Sequence, residues 1–132
     1  MTDKKTYDTM ETSRKTLGNL GEEMACGYMT AHGHTIIDRN WRYGHLEVDI
    51  ISTDRQGLHF VEVKSRVAPV SAAPEDNVTL RKQQRLVRAA QAYLHEHCFG
   101  DLEVTFDVVS VVFDGASTQI EYYNQAFIPI YI

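Results

Sequence analysis

Between Arg14 and His32 the apolar positions Leu17, Leu20, Met24 and Tyr28 fall three or four residues apart, the period of a helix with one buried stripe. Ser13 suits the cap before this helix and Gly33 the position just past its end. Gly18 and Gly21 lie inside it, where each costs up to about 1 kcal/mol against alanine. Close packing on a neighbour accounts for them. The pattern then becomes strand-like. Strands are predicted over Thr35–Asp38, Leu46–Ser52 and Leu58–Arg66, the last two joined by a hairpin turn at TDRQG. VAPVSAAPEDN, with two prolines and small residues, reads as a loop. A second helix is predicted over Thr79–His97: Leu86, Ala90, Tyr93 and Leu94 share one face and Arg81, Arg85 and Arg88 the opposite one. Two further strands, Val104–Phe113 and Ile120–Tyr123, flank DGAS. The apolar end AFIPIYI is expected to pack back onto the body.

Residues 1–13 read as a flexible tail and 14–132 as one domain. The element order predicts an α/β fold, a mixed β-sheet flanked by two helices. With 132 residues, 43% apolar and 23% charged, the chain has the composition of one ordinary globular domain. No stretch approaches the roughly 20 apolar residues of a membrane helix. The polar N-terminus lacks a signal-peptide core, and Cys26 and Cys98 fit two small buried thiols in a reducing compartment, so a cytoplasmic location is expected. The net charge of −5 argues against a nucleic-acid partner. Its distribution argues less strongly: nine of the thirteen Lys and Arg residues fall between Arg39 and Arg88, and none follows.

The third strand poses a chemical problem. In HFVEVKSR, Phe60, Glu62 and Lys64 alternate onto one face and His59, Val61 and Val63 onto the other. On the hairpin partner, Glu47, Asp49 and Ile51 share a face, opposed by Leu46, Val48 and Ile50. Antiparallel pairing brings Asp49 beside Glu62, at the roughly 4.5–5.5 Å of cross-strand partners. Two carboxylates that close repel, and a buried unpaired charge is costly. A divalent cation between them removes the problem, and Mg²⁺ (or Mn²⁺) with its oxygen ligands fits carboxylates, water and a phosphate. Lys64 then faces the same space, where it can orient a water or steady a developing charge. The backbone carbonyl of Val63 is a third candidate ligand, and Glu47 a flanking one. The same residues also fit the solvated face of an antiparallel sheet, where Glu62 and Lys64 would be a surface pair of little energy.

Other residues are weaker candidates. Arg39, Arg42, Arg66, Arg81, Lys82 and Arg85 can together track a phosphate backbone. Trp41 can stack a base, but a lone tryptophan is more often core-edge packing. HGH and HEH do not give the convergent ligands that zinc needs.

The segment LGNLGEEMACGYMTAHGHTIIDRNWRYGHLEVDIISTDRQGLHFVEVKSR, followed by VTLRKQQRLVRAAQAYL and FDVVSV, resembles the YraN-like family of small bacterial proteins. That family is similar to the PD-(D/E)xK nucleases, including restriction endonucleases and archaeal Holliday-junction resolvases. The likeness covers about residues 17–130 and rests on GxxGE, RNW, ExD, VEVKxR and RKQQR together. It implies a restriction-endonuclease-like αβββαβ core and a metal-dependent endonuclease acting on DNA, branched or structured DNA included. In that reading Asp49 and Glu62 are metal ligands, Lys64 is the catalytic lysine, and Glu22 is the first-helix acid at the site. Helical geometry alone leaves Glu22 and Glu23 equal. The family's usual GEIDLI is LEVDII here, with Leu46 in place of glycine. A non-catalytic nucleic-acid-binding module for a helicase or recombination complex is the alternative, and the low pI of about 5.6 favours either that or a homodimer that assembles more positive surface.

Overall fold

The first helix, α1 (Asp3–Ala31), lies against the sheet along Gly21, Ala25 and Met29, all buried and four residues apart. The computed structural model describes residues 3–70 and 78–129, with side chains from Arg14 onward. The helix begins at Asp3, so Ser13 is inside it rather than at its cap. The expected stripe of Leu17, Leu20, Met24 and Tyr28 is displaced: Leu20 is 49% exposed. The reason is distance. A Cβ at Gly21 would overlap Ser65 Oγ, so the helix backbone sits directly on the sheet and small residues form its contact face. Close packing therefore accounts for Gly21, whereas Gly18 has open space beside it.

Five strands follow: β1 (Thr35–Tyr43), β2 (Leu46–Thr53), β3 (Leu58–Val67), β4 (Val104–Asp114) and β5 (Ser117–Phe127). They form one mixed sheet in the order β1-β2-β3-β4-β5. All neighbours are antiparallel except β3 and β4. A parallel pair needs a crossover, and the second helix, α2 (Leu80–Glu96), supplies it. Thr79 caps α2, its side chain accepting from the Lys82 N–H. The fold is thus the expected α/β arrangement, a five-stranded sheet with two helices, consistent with a restriction-endonuclease-like core.

The two faces have separate cores. Val48, Ile51, Leu58, Phe60 and Phe106 pack against Leu86, Ala89, Ala90 and Tyr93 of α2. Ile50, Val61, Val109 and Val111 pack against Ala25 and Met29 of α1. Trp41 is core-edge, its ring meeting Tyr93 edge-on at 5.0 Å. Leu46, the departure from the family pattern, packs against the α2 core. Two strands are longer than the sequence predicts. β1 runs on through RNWRY and β5 through NQAF, because both are sheet edges with polar outward positions that mask a strand signal. Phe127 stacks on Phe106, as expected for the C-terminal segment, but Ile128 is 82% exposed. Residues 130–132 and most of the expected loop, 71–77, lie outside the described residues. Both cysteines are free; Cys98, at the end of α2, is exposed rather than buried.

Candidate functional site

β2 and β3 begin as a regular hairpin and then part. Their pairing runs from Thr53↔Leu58 to Ile50↔Val61 and stops there. Beyond it the Val63 N–H donates to Asp49 Oδ2 at 2.9 Å. A side chain thus satisfies a backbone donor that lacks a strand partner. β1 is irregular opposite this point: Asn40 adopts a positive φ of 51° between the pairs Arg39↔Ile50 and Trp41↔Val48. β2 accordingly rotates at Asp49. Strict alternation would group Val48 with Ile50, yet Val48 packs with Ile51 on the α2 side.

Asp49 therefore occupies the fork between the strands and opens to both sides. Toward α2 it lines a cavity of about 220 Å³ with Glu47, Glu62, Lys82 and Arg85. Toward α1 it lines one of about 400 Å³ with Glu22, Val63, Lys64 and Ser65. The close seat of Gly21 on Ser65 brings the next residue, Glu22, to this second opening. Glu22 is 16% exposed and Glu23 is 66% exposed, which resolves the helix geometry in favour of Glu22.

The electrostatics of the fork are unbalanced. Burial pushes the Asp49 carboxyl up to about 7, and Glu22, Glu62 and Glu47 push the same way, against the Val63 hydrogen bond. Lys64 Nζ lies 3.6 Å from Glu62 Oε1. Burial lowers the Lys64 pKa, as does Lys82 beside it, while Glu62 opposes the shift. Carboxylates thus line both openings at Asp49: Glu47 and Glu62 on the α2 side and Glu22 on the α1 side. Such an all-oxygen donor set suits a hard divalent cation, and charge neutralisation is what Asp49 lacks.

The basic residues divide into two groups. Arg81, Arg85 and Arg88 line an open cavity of about 400 Å³ with His45, next to the fork, and Arg85 donates to the His45 carbonyl at 3.0 Å. Arg39, by contrast, is drawn inward: its guanidinium lies 2.7 Å from Glu23 and 3.9 Å from Glu22, tying β1 to α1. Arg42 pairs with Glu47 at 3.8 Å. Arg66 lies near the C-terminal end of β3, partly buried.

A second polar cluster escapes the sequence patterns. At the other end of the hairpin, His34, Asp54 and His59 converge, with donor atoms all within 4.8 Å of one another. His59 is buried; its Nε2 lies 2.7 Å from Asp54 Oδ1 and its Nδ1 2.7 Å from Asp107 Oδ2. Burial alone would lower the His59 pKa, but the hydrogen bonds to Asp107 and Asp54 prevail and raise it. The Asp107 carboxylate is held by Tyr122 OH, by Asn124 and by the Gln125 N–H. The available signal is His59 on the core-facing side of an otherwise apolar run. HGH contributes only one ligand, and its partners come from elsewhere in the chain.

Comparison with known proteins gives a family but no activity. A profile described as Uncharacterised protein family UPF0102 matches residues 21–111. A UPF0102 protein of Bacteroides thetaiotaomicron is 41% identical over 113 residues, covering 86% of this chain and 93% of that protein. One from Oleidesulfovibrio alaskensis is 43% identical over 104 residues, 79% of this chain and 52% of that protein. A third, from Desulforapulum autotrophicum, is 37% identical over 118 residues, 89% of this chain and 98% of that protein. Among the described residues, no helix is long and apolar enough to cross a membrane.

Proposed function

The chain belongs to the uncharacterised protein family UPF0102, the YraN-like family that its motifs resemble, and on that premise we propose that it is a metal-dependent endonuclease acting on DNA, with branched or otherwise structured DNA as its substrate. The observation that carries this reading is the fork: a carboxylate in a strand gap, among three further carboxylates, with a half-buried lysine beside it. Asp49 and Glu62 are the assigned ligands of Mg²⁺ or Mn²⁺, with the Val63 carbonyl completing the protein's share. Glu22 approaches from α1 and Glu47 flanks from β2. Bound there, the cation supplies a more acidic water and charge neutralisation at the scissile phosphate. Asp49, fixed through one oxygen by the Val63 N–H, keeps its other oxygen for the fork. Lys64 holds the attacking water and faces the charge that develops on phosphate oxygens. Arg81, Lys82 and Arg85 of α2 hold the backbone of the DNA next to the fork, which converts attack into a positioned reaction.

The test is single-turnover cleavage of a labelled four-way junction with Mg²⁺ or Mn²⁺. The expected result is cleavage by the wild type and none by Glu62→Ala; equal products from both proteins would refute the assignment. The alternative reading, a binding module that serves a helicase or recombination complex, draws on the acidic net charge of −5 and on the ion pairs that occupy Arg39 and Arg42. Salt-sensitive junction binding without cleavage under either metal, with a protein partner or a second copy needed for tight binding, is the outcome that would favour it.

A further inference from the structure

We propose that His34, Asp54 and His59 form a second metal site, distinct from the fork, that takes a Zn²⁺-class divalent transition ion. Three features of geometry lead there. First, the donors converge. His34 Nε2 lies 3.5 Å from Asp54 Oδ2, and His59 Nε2 lies 2.7 Å from Asp54 Oδ1. Donors about 2.0–2.1 Å from a tetrahedral zinc stand about 3.3 Å apart. The first spacing is already close, and the second must open by about half an ångström. Asp54 is in the β2–β3 turn, where its Oδ1 also accepts from the Gln56 and Gly57 N–H groups, and at 21% exposed it leaves an entry path from solvent.

Second, the outer partners orient both imidazoles. His34 Nδ1 lies 2.8 Å from Ser52 Oγ, and His59 Nδ1 lies 2.7 Å from both Thr105 Oγ1 and Asp107 Oδ2. His59 spends its Nδ1–H on the Asp107 carboxylate, the Ser52 hydroxyl engages Nδ1 of His34, and both rings present Nε2 to the cluster. Metal-ligating histidines are held in this way, with the other ring nitrogen bonded to a carboxylate, carbonyl or hydroxyl. The Asp107 carboxylate is in turn fixed by Tyr122, Asn124 and the Gln125 N–H, so the orientation of His59 is supported from β4 and β5 together.

Third, the donor set separates the two sites chemically. Two imidazole nitrogens and one carboxylate suit zinc and its neighbours, whereas the all-oxygen fork suits Mg²⁺. Coordination replaces the proton on His59 Nε2, which leaves for solvent, and a water fills the fourth position. The ion would link the segment after α1 to the hairpin turn, about 10–17 Å along the strands from the fork at roughly 3.3 Å per residue. It would thus brace the hairpin without touching the substrate.

The experiment uses the full chain, stripped with chelator and desalted, then titrated with Zn²⁺ by calorimetry and with Co²⁺ by visible absorption. One equivalent of each is expected to bind, with a four-coordinate cobalt spectrum and a raised Tm. Ser52→Ala, which removes one outer partner, should weaken binding by roughly 10–100-fold. His34→Gln should weaken it further. Asp49→Asn and Glu62→Gln should leave it unchanged, because they alter only the fork. Should His34→Gln fail to fold, NMR of the wild-type cobalt protein replaces it: two exchangeable Nδ1–H protons with large paramagnetic shifts are expected. Absence of those shifts, absence of stoichiometric binding, or binding lost with Asp49 and Glu62 rather than with His34 would each overturn the site. None of these readouts depends on cleavage, so failure here leaves the proposed nuclease untouched.

Discussion

Replacing Asp49 with asparagine should stabilise the metal-free protein at alkaline pH, although it removes a residue assigned to the site. Burial and three neighbouring acids hold this carboxyl at about 7 rather than the ordinary 3.8. At about 1.4 kcal/mol per pH unit between the two values, ionising Asp49 in the fold costs at most about 4 kcal/mol. The sign follows from proton counting. Between pH 3.8 and 7 the native state binds more protons than the unfolded chain, so stability falls as pH rises and levels off above 7. Asparagine carries no charge at any of these pH values and keeps an oxygen for the Val63 N–H. Asp49 is not sealed from water, so about half the ceiling, ~2 kcal/mol, is the working expectation at pH 8, against less than ~1 kcal/mol at pH 5. Two kcal/mol corresponds to roughly 6–10 °C in Tm for a domain of this size. The assay is thermal or urea unfolding of both proteins in EDTA at pH 5 and pH 8. All other titrating groups are common to the pair, so the change in their difference with pH isolates Asp49. Added Mg²⁺ at pH 8 should then stabilise the wild type and not the variant. An Asp49→Asn protein less stable than wild type at pH 8 in EDTA, or a difference constant with pH, would refute the account of the fork.

Lys64→Met keeps most of the stem volume, so it should abolish cleavage in single-turnover assays while leaving junction affinity and the unfolding midpoint nearly unchanged. Arg81→Ala with Arg85→Ala should weaken binding to all duplex sequences and lower the slope of log K against log salt by about 0.9 for each phosphate no longer neutralised, as read by anisotropy titration. Gly21→Ala should destabilise the fold by about 1–3 kcal/mol in urea melts, because its methyl meets Ser65, and Ser65→Gly in the same chain should restore most of the stability.

The legible parts of the fold are those where one periodicity dominates. α2 is readable almost to its ends because a single face carries Leu86, Ala90 and Tyr93 and Thr79 caps it. The β2–β3 hairpin is readable because both strands carry runs of apolar β-branched and aromatic residues and its turn has the chemistry of a tight connection. The contact face of α1 is not. Glycine and alanine carry little hydrophobic signal, so a stripe of Gly21, Ala25 and Met29 is outvoted by Leu17, Leu20, Met24 and Tyr28. That inversion matters for the site, since the close approach made possible by Gly21 is what carries Glu22 to the fork. The edge strands β1 and β5 read short for a related reason: outward positions of an edge can be polar without cost, and a polar strand end looks like a loop.

The two polar sites differ in kind, and the difference explains why the residue pattern points to only one of them. Asp49, Glu62 and Lys64 lie on the two strands of one hairpin, so the hairpin brings them to one neighbourhood. The expected Asp49–Glu62 pair does not form, because the ladder ends at Ile50↔Val61 and Asp49 turns to the Val63 N–H. Alternation describes the neighbourhood only approximately: the strand rotates at Asp49, and the carboxylate serves openings on both sides of the sheet. His34, Asp54, His59 and Asp107 come from the segment after α1, the hairpin turn, β3 and β4. The β1–β2 and β2–β3 pairings Thr35↔Thr53 and Ser52↔His59 gather the first three, and Asp107 joins them only through the parallel β3–β4 register, in which Val61 lies beside Asp107 and His59 beside Thr105. That register is fixed by the α2 crossover and by the packing of both helices, neither of which leaves a mark on the spacing of these four residues. A histidine and an aspartate in the apolar runs LHFVEV and FDVVSV are the visible trace: each is too costly to bury alone, so each implies a partner whose identity only the sheet order supplies.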